Sequence, residues 1–235
     1  MKIACFGDSL TKGSMGYSYI RYMRSADKIT NKGVNGDTTI GVSGRLKKYI
    51  DNAANSDVDI YVLSIGTNDL LLPYLTTVSP LWKLQMAPRV KMKKCITDDG
   101  LFETEYRKLI ELILSHHKTA VLVGLPLLQM KGYPNERVQE RNLIIKKLAA
   151  SEDVAFVDSA SLQQQAVSGF TCSYSWKHTN LVRIFDGLIM LAFPFSKDWF
   201  SKFRHLELTV DGAHFNSRAA KLIGAAISTA ILQKQ

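Results

Sequence analysis

Short apolar runs at residues 3–6, 60–65, 120–125 and 154–157 alternate with helix-length amphipathic stretches, and that alternation confines the chain to a parallel sheet covered by helices. Parallel neighbours need a long crossover, and the spacing between runs leaves room for one helix in each. Residues 28–31 read as a further short strand, so about five strands are expected in an α/β fold. Helices are predicted over 18–24, 45–53, 102–117, 136–150 and 217–232. The 235 residues suit one domain, 1–235, with insertions at about 70–100 and 159–208 where the alternation lapses. The first insertion holds Pro73, Pro80 and Pro88 and reads as a long connection shaping access to a site. The second is rich in aromatics, among them Phe170, Trp176, Phe185, Trp199 and Phe203, and is expected to hold short helices. It either lines an apolar pocket or packs as ordinary core and subunit contact, and the sequence leaves both open.

Ligands of open α/β sheets gather at the carboxyl ends of the strands, so the residues there carry the functional question. The first strand stops at Gly7 and presents Asp8 and Ser9. A hydroxyl on such a turn, ahead of a helix N-terminus, reads as a nucleophile, although turn chemistry or helix capping explains Gly-Asp-Ser equally. The loop after the second strand places Gly36 as a backbone N–H donor or as a tight turn needing positive φ. After the third strand, Gly66-Thr67-Asn68-Asp69 offers an Asn68 amide to a developing oxyanion, or Asn68 and Asp69 cap the next helix. Asp69 keeps the structural reading. Asp211 and His214, three residues apart before the last helix, are spaced so that the carboxylate can fix the imidazole tautomer and leave Nε2 as a general base.

Composition narrows the alternatives. Cys5, Cys95 and Cys172 are scattered and odd in number, which points to neither a disulfide framework nor a zinc site. His116 and His117 end a predicted helix and read as structural. The chain runs from Met1-Lys2 directly into its first strand, and with the unpaired cysteines this gives cytoplasmic location as the expectation. The longest apolar run, 181–195, is broken by Arg183, Asp186, Gly187 and Pro194, so no membrane span is expected. The formal charge of +9 is mostly dispersed. Its denser patches are Lys83, Arg89, Lys91, Lys93 and Lys94 around Trp82, and residues 197–204 around Trp199. Both read first as solvated surface and second as contacts for an anionic substrate or membrane; nucleic acid is not the expected partner. Oligomeric state is not legible.

Together, Gly7-Asp8-Ser9-Leu10, the Gly36 loop, Gly66-Thr67-Asn68-Asp69 and Asp211-Gly212-Ala213-His214 resemble the four ordered blocks of the SGNH (GDSL) hydrolase family. The resemblance spans nearly the whole chain. It implies a flavodoxin-like three-layer α/β/α sandwich, with Ser9 as nucleophile, His214 as base and Asp211 as its orienting acid. It also implies an oxyanion hole from Ser9, Gly36 and Asn68, with no metal and no cofactor. The implied substrate is a small-molecule ester, and the apolar second insertion leans toward acyl esters. A carbohydrate O-acetylesterase is the alternative within enzymes, and a non-catalytic binding module the alternative outside them.

Overall fold

A computed structural model of the chain describes residues 1–24, 26–177 and 180–234, and only the backbone of 180, 181, 183 and 184. Strands β1 (Lys2–Gly7), β2 (Lys28–Gly33), β3 (Ile60–Ser64), β4 (Thr119–Val123) and β5 (Ala155–Val157) form one parallel sheet in the order β2-β1-β3-β4-β5. The central strands are apolar at successive positions because both faces are covered. Ala4, Phe6, Tyr61, Leu63 and Leu122 enter one core. Ile3, Cys5, Val62, Val121 and Val123, the alternate positions, enter the other. Strand β2, at the edge, is half-exposed and polar. The order reverses direction between β1 and β3, since the chain leaves β1 toward β2 and returns across it to β3. A crevice therefore opens at the carboxyl ends of β1 and β3.

On one face lie α2 (Thr39–Ile50), α3 (Thr67–Val78), α4 (Pro80–Met92), α5 (Asp99–Ser115) and α6 (Asn135–Ser151). On the other, α10 (Ser217–Gln233) buries Ala219, Ala220, Ile223, Ile227 and Ile231. The remaining helices are α1 (Ser9–Lys12), α7 (Ser159–Ala166), α8 (Asn180–Ala192) and α9 (Ser196–Phe203).

Three expectations need correction. The helix expected at 18–24 is a 3₁₀ turn over Tyr19–Tyr22; the helix after β1 is the four-residue α1, ended by Gly13 in the left-handed region at φ 80°. The helix expected from 45 starts at Thr39, because Thr38 caps it and the buried Asp69 accepts from both Thr39 N and Thr39 Oγ1. Gly41 and Gly44 had hidden that start, being poor helix formers. The expected long connection at 70–100 is largely the helical hairpin α3–α4, hinged at Ser79. Pro80 occupies the first turn, where a missing N–H costs nothing, and the break at Pro73 is offset by burial of Leu70, Leu71, Leu72 and Leu75. The short helices expected in 159–208 are present as α7, α8 and α9. Arg183, one of the residues interrupting the apolar run there, lies outside the described side chains.

Candidate active site

Ser9 opens α1 immediately after β1. Gly7 permits the turn: a Cβ there would lie 2.1 Å from Thr11 Oγ1 and 2.4 Å from the Ser64 carbonyl. Asp8 is the N-cap, its Oδ1 accepting from Leu10 N at 2.9 Å. As the first residue of a helix, Ser9 has a backbone N–H with no intrahelical acceptor.

The segment before α10 returns to this turn. Val210 N donates to the His214 carbonyl at 2.8 Å, closing a tight loop from 210 to 214. Inside it, Asp211 Oδ1 accepts from Ala213 N at 3.0 Å and His214 N at 2.8 Å, while Asp211 Oδ2 lies 2.9 Å from His214 Nδ1. His214 Nε2 lies 3.0 Å from Ser9 Oγ. Asp211 and His214 are both buried. A carboxylate, an imidazole and a hydroxyl thus stand in line. The geometry suits transfer of the hydroxyl proton to Nε2 while the carboxylate holds Nδ1–H.

Two further side-chain anchors fix that loop. Gln129, at the end of the β4 connection, accepts through Oε1 from Leu208 N at 3.1 Å and Thr209 Oγ1 at 2.9 Å. Trp176 donates its indole N–H to the Asp211 carbonyl at 2.7 Å.

Gly36 and Asn68 line the same cavity as Ser9 and His214, a space of about 190 Å³. Gly36 holds φ +68°, a region that favours glycine, and open space surrounds the position a Cβ would take. Asn68 Nδ2 donates to the Asp37 carbonyl at 2.9 Å and to Asp8 Oδ2 at 3.2 Å, so both amide hydrogens have an acceptor. Burial pushes the Asp8 carboxyl up to about 7, against the pull of the Leu10 N–H, which lowers it.

The other walls are apolar. Leu71, Leu72, Leu75, Trp82 and Met86 come from the α3–α4 hairpin, and Met15 and Trp176 complete them. Arg89 stands at the side of this cavity and continues, with Lys93, into an adjoining groove past Gly36.

All the residues singled out in the four blocks, Ser9, Gly36, Asn68, Asp211 and His214, thus meet at one cavity or directly support it. Asp69 is structural in a different way from a cap: besides Thr39 it accepts from Ile96 N at 2.8 Å, tying α2 and the segment before α5 to the start of α3. Burial raises its carboxyl while these hydrogen bonds oppose the shift. Of the aromatic insertion, Trp176 reaches the cavity, whereas Phe185, Trp199 and Phe203 are exposed. Sequence reasoning missed Asp8 and the hairpin walls. The signal is there in Leu71, Leu72 and Leu75 followed by Trp82 and Met86 at helical spacings, but Pro73, Pro80 and Pro88 interrupt it. His116 caps the end of α5 and its Nε2 lies 3.4 Å from Asp51 Oδ1. Among the described residues no group of three or more His, Cys, Asp or Glu side chains is placed to hold a metal.

A family model described as the GDSL-like lipase/acylhydrolase family matches residues 5–176. A search of curated proteins gives no significant match. Among solved structures, a lipolytic protein of the G-D-S-L family from Veillonella parvula is similar at 18% identity and TM-score 0.61, covering 99% of each chain. A lipase/acylhydrolase from Enterococcus faecalis is similar at 19% identity and TM-score 0.55, over 99% of this chain and 96% of that one. An acetylxylan esterase from Geobacillus stearothermophilus is similar at 16% identity and TM-score 0.58, over 98% and 93%. At these identities the structural likenesses speak to the fold.

Proposed function

The chain belongs to the GDSL-like lipase/acylhydrolase family and is a hydrolase, and from that premise we propose that it cleaves carboxylic esters through a covalent acyl-enzyme on Ser9. The observation that carries this reading is the line from Asp211 Oδ2 through His214 to Ser9 Oγ, with gaps of 2.9 and 3.0 Å.

In this mechanism His214 Nε2 takes the Ser9 proton as Oγ attacks the ester carbonyl, and Asp211 stabilises the imidazolium that forms. The tetrahedral oxyanion is received by the N–H groups of Ser9 and Gly36 and by Asn68 Nδ2. Of the two acceptors Asn68 now serves, Asp8 at 3.2 Å is the farther, and the oxyanion takes its place. Collapse breaks the bond to the leaving alkoxide, which collects the proton from His214 and departs as the alcohol. Water then repeats the sequence, adding to the acyl carbonyl as His214 takes its proton; release of the acid returns that proton to Ser9.

The substrate class proposed is an acyl ester with an apolar acyl group, because five of the cavity walls are Leu71, Leu72, Leu75, Trp82 and Met86. A carbohydrate acetate, as the description of the Geobacillus neighbour would suggest, has less use for such walls. The test is a panel of p-nitrophenyl esters of rising acyl length, with Ser9→Ala as control and a fluorophosphonate probe as label. Turnover by the wild type, loss in Ser9→Ala and labelling that depends on Ser9 are expected. Turnover retained in Ser9→Ala would remove Ser9 as nucleophile. Absence of both labelling and turnover would favour the binding module. Preference for acetate over every longer chain would favour the carbohydrate esterase.

A further inference from the structure

Helices α8 and α9 bury Met190 and Phe200 against Val210, and they also turn charged groups inward. Their polar groups are used inward: the buried Asp186 on α8 pairs with Arg204, and the buried Lys197 on α9 donates to the carbonyls of Gly13 at 2.9 Å and Gly16 at 2.7 Å. Asp198 accepts from Ser217 N at 3.0 Å. These bonds fix which way the two helices face. Among the described side chains the outward side is mainly apolar. On α8, Val182, Phe185, Leu188, Ile189 and Leu191 are between 42 and 66% exposed. On the following turn and α9, Phe193, Phe195, Trp199 and Phe203 are between 53 and 78% exposed, with Trp199 and Phe203 stacked at 5.2 Å. Exposed apolar residues gathered on two neighbouring helices in this way mark an interaction surface.

Its location matters. A Cβ on Gly187 would lie 3.0 Å from Met15 Cε, and Met15 lines the cavity of Ser9 and His214, so the α8–α9 layer abuts the catalytic rim. Its border carries positive charge. Lys202 is exposed beside Phe203. Exposed Arg21 lies 5.7 Å from the Tyr17 ring, whose hydroxyl donates to the Pro194 carbonyl at 3.4 Å. Against these stands exposed Glu207, while Asp186 and Asp198 are already engaged.

We propose that the α8–α9 face docks the protein on the surface of an anionic phospholipid bilayer, seating the Ser9 cavity beside membrane-borne acyl esters. Charge selects this occupant over a second copy of the chain. A second copy carries the same net +9, so two chains repel on approach, whereas an anionic bilayer attracts the chain as a whole. The exposed side chains suit an interface, with Trp and Phe rings at headgroup depth and a basic border. Among the described residues no helix is long and apolar enough to cross a membrane, so α8 would lie in the interfacial plane. The seating of substrate rests on the esterase reading; the docking itself does not.

The test is sedimentation of the full chain with vesicles of phosphatidylcholine alone and of equimolar phosphatidylcholine and phosphatidylglycerol, with tryptophan emission as second readout. Wild type and Ser9→Ala are both expected to bind the anionic vesicles, roughly fivefold or more tighter than the neutral ones, as two border cations less one carboxylate near a charged surface would give. Emission should shift to the blue, because Trp199 is 59% exposed while Trp82 and Trp176 are 6 and 4%. The double variant Leu188→Glu, Phe195→Glu should lose this binding and this shift while hydrolysing a soluble short-chain p-nitrophenyl ester as the wild type does. Wild-type protein that ignores both vesicle types, or a variant that binds as well as wild type, overturns the proposal. Self-association abolished by the same variant, without vesicle binding, assigns the face to a second copy instead. If vesicles bind but no ester is turned over, the esterase reading alone falls.

Discussion

The indole N–H of Trp176 donates to the backbone carbonyl of Asp211 at 2.7 Å, and the carbonyl of Trp176 in turn accepts from the indole N–H of Trp82 at 2.7 Å. The two rings stack at 5.5 Å. A helix of the α3–α4 hairpin is thereby connected, through one tryptophan from the second insertion, to the backbone of Asp211, whose carboxylate lies 2.9 Å from His214 Nδ1. Trp176 is a positioning residue in this arrangement. Trp176→Phe keeps much of the ring and deletes this hydrogen bond, at a cost of about 0.5–1.5 kcal/mol. Thermal unfolding should register that loss. Steady-state kinetics should show kcat falling more than KM rises, since Asp211 is displaced and the apolar wall stays; a variant with kinetics like the wild type would detach Trp176 from catalysis.

Asp211→Asn tests the orienting carboxylate. The amide oxygen can still accept from Ala213 N and His214 N, which preserves the loop. What is lost is the negative charge 2.9 Å from His214 Nδ1. In a serine protease the equivalent change costs roughly 10⁴ in kcat through the wrong imidazole tautomer, and a loss of roughly 10³- to 10⁴-fold in kcat is expected here, with circular dichroism unchanged.

The Asn68 amide is expected to matter chiefly in the transition state. Removal of one side-chain oxyanion donor costs roughly 10²–10³ in kcat in a well-studied hydrolase. Asn68→Ala should produce a drop of that order with KM little altered. It should also leave Asp8 and the Asp37 carbonyl without their Nδ2 partner, lowering stability by about 1–3 kcal/mol. Equal losses in kcat and in substrate affinity would argue that Asn68 only shapes the pocket.

Asp8 makes stability depend on pH in a stated direction. Its carboxyl is raised to about 7 in the folded chain, from an ordinary value near 4. Between those values the folded state holds a proton that the unfolded state has released. This group's contribution to stability is therefore present below about pH 4 and is lost as pH rises through about 7. Urea unfolding of wild type and Asp8→Asn across that range isolates it: the stability of wild type relative to the variant should fall steadily toward neutral pH. A difference that is flat, or that grows with pH, contradicts the assignment.

Much of this molecule was legible in residue order, and the exceptions share a cause. The strands were found because β1, β3 and β4 are apolar at consecutive positions, a consequence of being covered on both faces. Ser9, Gly36, Asn68, Asp211 and His214 stand out in the sequence because each sits where a strand or the last loop ends, and such residue types have few structural uses in combination. The start of α2 was misread because it depends on Thr39 bonding to Asp69, thirty residues away. The α3–α4 hairpin was misread because a proline weakens a helix locally while the burial that rescues it is tertiary.

The linear order of side chains therefore determined the sheet, its two-sided cover and which polar residues stand at its carboxyl edge, since apolar periodicity and turn chemistry act over a few residues. Only the folded arrangement decided that Nε2 of His214 would come within 3.0 Å of a hydroxyl 205 positions earlier, that Asp8 would be buried under Asn68, and that α8 and α9 would turn their apolar sides outward. Those outcomes come from packing between distant elements, where the ion pair of Asp186 with Arg204 and the grip of Lys197 on the Gly13 and Gly16 carbonyls outweigh local pattern.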